Sequence, residues 1–162
     1  MSLGFNKLSA PAMIGVFLVY AVINGISFST IFIAYPLGQI YQAFGAAAVV
    51  FGTMAVVGYT TKTDLTKLGK ILYIGLIAMI ICQLLNYFFF ASSGMDYAMS
   101  AIGVVIFTGL TAYDMQKLKN IGQGAEIGAA STRKLAVYGA LSLYLDFINL
   151  FLFLLRLLGG RD

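Results

Sequence analysis

Charged side chains are absent from Leu8 to Thr61 and again from Ile71 to Met95. A buried helix of a water-soluble protein rarely holds more than about 14 apolar residues in a row, whereas a bilayer crossing needs about 20. Breaking the chain at its charged and turn-rich clusters leaves five apolar segments, at 11 to 33, 43 to 61, 69 to 91, 97 to 117 and 134 to 158. The pattern therefore predicts an all-α fold, a polytopic transmembrane helix bundle of five spanning helices, with residues 1–162 forming one transmembrane domain. Tyr35, Pro36, Leu37 and Gly38 predict a short uncharged hairpin between the first two spans, and Pro11 suits the first turn of the first. That first run also exceeds the roughly 7 to 15 residues of a signal-peptide core, so it reads as mature membrane protein.

Composition agrees, since 60% hydrophobic and 10% charged residues lie outside the range of a soluble domain of this length. The net charge of +4 does not indicate nucleic acid, because the basic residues sit beside the spans instead of on one soluble face. Lys7, Lys62, Lys67, Lys70, Lys117, Lys119, Arg133 and Lys134 fall on one side of the membrane, and Arg156 and Arg161 on the other. Excess positive charge marks the cytoplasmic side, which predicts an inside N-terminus and an outside C-terminus. Gly25 with Ser29, and Ala48 with Gly52, are small-residue pairs one turn apart and expected at close helix contacts. The glycine-rich stretch from Ile121 to Ser131 is expected to be a mobile cytoplasmic loop.

Candidate chemistry is limited by what is missing. Without histidine there is neither the usual metal ligand nor the usual pH switch, and a lone Cys82 permits no intramolecular disulfide. Carboxylates remain. Asp146 lies at the middle of the last span, where it costs about 2.5 to 3.5 kcal/mol to insert, an expense outweighed by roughly half a kcal/mol from each of fifteen Leu, Ile, Phe and Val residues around it. It should face the bundle interior or a water-filled cavity, on a stripe with Gly139, Ser142, Asn149 and Phe153. Asp114, near the cytoplasmic end of the fourth span, shares a face with Thr111 and Lys117; simple pairing with Lys117 is the plain alternative there. Tyr20, Asn24 and Ser27, and separately Gln83, Asn86 and Tyr87, are expected on interior faces as interhelical hydrogen-bonding groups.

Two strings resemble a known family: Thr111-Ala-Tyr-Asp114-Met-Gln-Lys-Leu, and more specifically Leu141-Ser-Leu-Tyr-Leu-Asp146-Phe-Ile-Asn149-Leu-Phe. They look like the last two helices of the transmembrane Bax inhibitor motif family, and the similarity runs over nearly the whole chain. The resemblance implies a last helix at the centre of the bundle. It also implies that Asp114 and Asp146 match the family's paired aspartates, and that the activity is the pH-sensitive calcium leak of bacterial members, in a bacterial plasma membrane. The match begins where the family's third helix would, so a fragment, a shortened product, or a chain completed by another chain all remain open.

If the two carboxyls approach, they share a proton and titrate as a unit, giving a gate that needs no histidine. Asp114 and Asp146 would then offer hard oxygens to Ca²⁺, weakly and in transit, since a full cage takes 6 to 8 oxygens. No bound cofactor is expected, and Ca²⁺ enters as the permeant ion. The alternative is a non-conducting regulator of a membrane protease or of other membrane proteins, with a homo-oligomer also possible. Intramembrane aspartyl proteolysis is disfavoured, because neither aspartate sits in a Gly-x-Gly-Asp motif.

Overall fold

In the computed structural model, which describes residues 9–124 and 130–159, Ser9 opens the first helix. Its hydroxyl accepts the Ala12 N–H at 3.3 Å, and Pro11 fills a first-turn position that needs no N–H. Helix α1 (Ala10–Phe28) ends where the Ser29 and Thr30 hydroxyls donate to the carbonyls of Ile26 and Ser27, and a single turn, α2 (Ile31–Ala34), completes the crossing. Pro36, with φ of −61°, starts α3 (Leu37–Thr60) directly, six residues before the apolar pattern alone places it. The uncharged hairpin is thus shorter than the sequence implies, because Gly38, Gln39 and Tyr41 continue the helix instead of the turn.

After Thr61–Leu65 the chain enters α4 (Thr66–Leu85), which widens into a π turn (Asn86–Phe90) and then reverses through Ala91 in the left-handed region, φ 47°. That conformation costs an alanine about 1–2 kcal/mol. Asn86, 2% exposed, stabilises it: its side chain accepts the Ser92 N–H at 3.0 Å and donates to the Ser92 carbonyl at 3.2 Å and to Asp96 at 2.8 Å. Helix α5 (Ser93–Gly124) is longer than the expected 97–117, its good helix formers Met115 to Leu118 carrying it past the membrane. Helix α6 (Ala130–Gly159) follows. The expected glycine-rich loop is therefore helical at 121–124, and its middle, 125–129, lies outside the described residues, as do Lys7 and Arg161.

Five helices are long and apolar enough to cross a bilayer, and there is no strand among the described residues. Helix α6 stands in the middle, packed on α1, α3 and α5, while α4 joins the bundle through α5. With no water to drive apolar faces together, contacts depend on backbones coming close. Gly58 is where α3 does so: a Cβ there would overlap the backbone carbonyl of Ala112 on α5. Gly103 accepts the Phe153 ring in the same way, and Phe153 stacks on Phe107 with centroids 5.8 Å apart. The expected pairs at Gly25 and Ser29 and at Ala48 and Gly52 are not these contacts, since Gly25 and Gly52 face open space and Ala48 is exposed. Ala43 and Ala47, both fully buried, take that role on α3. One-turn spacing identifies a stripe without saying which side of the helix it faces.

Candidate functional site

The centre of α6 meets α5 at two carboxylates. Asp114 is 6% and Asp146 4% exposed, and both line one and the same cleft. A third group completes the arrangement from across the bundle: the Tyr73 hydroxyl on α4 donates to Asp114 Oδ1 at 3.3 Å. Asp146 Oδ2 is buried with no hydrogen-bond partner, a state that ordinarily costs about 1–3 kcal/mol.

The pair opens onto a cleft of about 340 Å³ floored by α5 and flanked by α4 and α6, which scarcely touch each other. Ser142 and Asn149 line it beside Asp146, as their stripe on α6 predicts, and Asn149 also donates to the Leu145 carbonyl at 2.8 Å. Thr111 and Lys117 do not line it. Three residues advance a helix by about 300°, which turns Thr111 off the Asp114 direction into the packed interior; its hydroxyl donates to the Phe107 carbonyl at 2.7 Å. Lys117 is exposed and sits over the Tyr138 ring, 5.5 Å from its centre, instead of pairing simply with Asp114.

Other expected polar contacts divide. Asn86 joins Asp96 across the π turn, and Tyr20 meets Tyr144 of α6 edge-on at 6.3 Å. Tyr87 is 78% exposed and Ser27 is exposed, so neither marks an interior face; the π turn rotates Tyr87 outward from the line of α4. Tyr73 and Gln116 carry no such expectation in the sequence. Gln116, 8% exposed and one turn-fraction past Asp114, clamps the α3–α4 link by donating to the Thr63 carbonyl at 2.7 Å and accepting the Leu65 N–H at 2.9 Å. In that link, outside the membrane, hydrogen bonds from the Thr66 hydroxyl and N–H hold the Asp64 carboxyl below its ordinary value of 3.8.

Fold and site together define a multi-pass α-helical membrane protein built around a buried carboxyl pair. The family profile described as inhibitor of apoptosis-promoting Bax1 matches residues 1–162, and the chain belongs to this Bax inhibitor family. It is 47% identical over 156 residues to an uncharacterized protein of Borreliella burgdorferi, covering 96% of this chain and 67% of that one. It is 44% identical over 162 residues to the inner membrane protein YbhL of Escherichia coli K12, covering 99% and 69%. To an uncharacterized membrane protein of Streptococcus pyogenes it is 41% identical over 161 residues, covering 98% and 68%. The chain thus spans about two thirds of the length of these relatives.

Proposed function

We propose that this chain forms a pH-sensitive calcium leak in a bacterial plasma membrane, gated by the proton shared between Asp114 and Asp146. The observation that carries the reading is the burial of both carboxyls beside one cleft, which both of them line. Protonated, the pair is a hydrogen bond that holds α5 to α6. Fully ionised, two charges about 4 Å apart repel by about 4 kcal/mol at an effective dielectric near 20. A membrane-buried hydrogen bond such as that of Tyr73 averages only about 0.6 kcal/mol. Repulsion therefore dominates, and loss of the proton loosens the gate as it exposes hard oxygens to a cation.

The ion is cargo, not a resident. Two carboxylates with the oxygens of Ser142 and Asn149 offer fewer ligands than the 6 to 8 of a tight site. The positive-inside rule supports an orientation with Lys62, Lys67 and Lys119 in the cytoplasm and Arg156 outside. Calcium entry into proteoliposomes, recorded across pH, tests the reading. Flux should rise with pH, and Asp146→Asn should abolish its pH dependence; an unchanged profile rules the pair out as the gate. Vesicles that pass no calcium at any pH would favour a non-conducting regulator, found with a co-purifying membrane partner.

A further inference from the structure

A second cavity, of about 580 Å³, lies at the opposite end of α4 from the α3–α4 link, between Asp96 at the start of α5 and Arg156 near the end of α6. It and the cleft at the aspartates share two lining residues, Ile80 and Gln83, both on α4. These two side chains stand where the two spaces adjoin, a neck at which Gln83 supplies the polar atoms. On α4 the positions Tyr73, Leu76, Ile80 and Gln83 follow steps of three and four, so a single helical stripe runs from the aspartates to the edge of the outer cavity. The facing wall is α6, where Arg156 sits over the Phe153 ring at 5.8 Å and Phe153 itself lines the cleft.

We infer that the permeant cation travels between α4 and α6, entering through the Asp96 cavity and passing the Gln83 neck to reach Asp114 and Asp146. An ion in this low-dielectric setting has to exchange water for fixed oxygens at every narrowing. At the neck the other side chain is that of Ile80, which offers none, so the Gln83 amide oxygen is the ligand that makes passage possible. Arg156 lies beside the same passage and Asp96 at its mouth. Their opposite charges admit a cation without letting it accumulate, which suits a slow leak. Gln83 acts here as a specificity-determining residue.

The inference rests on the leak reading, and the test separates the two. In proteoliposomes Gln83→Leu should lower calcium flux about tenfold, the equivalent of one oxygen contact of about 1.4 kcal/mol, while the pH at half-maximal flux stays where the aspartates set it. Because Cys82 is the single cysteine, the double variant Cys82→Ala/Gln83→Cys carries one thiol, at the neck. A membrane-impermeant cationic methanethiosulfonate added on the Asp96 side should modify it, should do so more slowly in the presence of Ca²⁺, and should block flux. Undiminished flux in Gln83→Leu overturns the inference, as does a thiol at position 83 that does not react in folded protein. If wild-type vesicles conduct nothing, the leak reading fails, and the labelling alone decides whether the neck is a hydrated passage.

Discussion

Tyr73 reaches Asp114 from α4 at 3.3 Å and gives the carboxyl pair a hydroxyl donor from a third helix. Removing that donor with Tyr73→Phe keeps the ring and its edge-on contact with Tyr113 at 6.0 Å. The variant should lose about 1 kcal/mol of stability, within the range of membrane-buried hydrogen bonds, read as an earlier unfolding midpoint in detergent. No change would mean that the long bond contributes nothing. Asp146 was legible from the sequence because one charge inside an apolar run has no bland solvation. Tyr73 was not, since a tyrosine near a membrane boundary ordinarily anchors at the interface, and nothing in its own segment reveals the acid opposite. Thr111 misled for a related reason: a spacing of three is close to a turn but not one, and its hydroxyl is satisfied within its own helix.

The helices owe their contacts to a few positions where a side chain would not fit. Gly58→Ala should destabilise by about 1–3 kcal/mol or more, because the added methyl meets the Ala112 backbone, which cannot swing aside as a side chain can. Gly52→Ala, facing open space, should stay within about 0.5 kcal/mol of the parent. Thermal unfolding of both variants in the same detergent checks the contrast, and equal losses would refute it. The sequence supplied number and order of the helices, since length and apolarity decide both. It could not supply the contact faces, as in lipid both sides of a span are apolar and only the partner distinguishes them; the exposure of α1 residues such as Val19 and Ile26, at 60% and 68%, shows how little pattern remains to read. Element ends were lost for another reason: Pro36 and Asn86 set them through backbone geometry and hydrogen bonds that hydropathy does not register.

Across the whole molecule, basic residues gather at one end, where Lys119 also donates to the Tyr59 carbonyl at 2.7 Å. If that end is cytoplasmic, a thiol from Thr63→Cys in a Cys82→Ala background should be unreactive to an impermeant reagent in intact cells and reactive after permeabilisation. A thiol from Tyr35→Cys should react in both, and the reverse pattern would invert the bundle. The bundle also has a thick and a thin side, with α6 embraced by α1, α3 and α5 but separated from α4 by the cleft. Span Thr66–Phe90 has 25 residues, roughly 37 Å at 1.5 Å per residue, against a hydrocarbon depth of about 30 Å. A span longer than the hydrocarbon tilts, kinks or thickens the bilayer around it, and the Asn86 knot pins this one at its end to Ser92 and Asp96. Shortening or lengthening the surrounding lipid tails must then be met by a lean of α4 as a stiff rod, which widens or narrows its separation from α6.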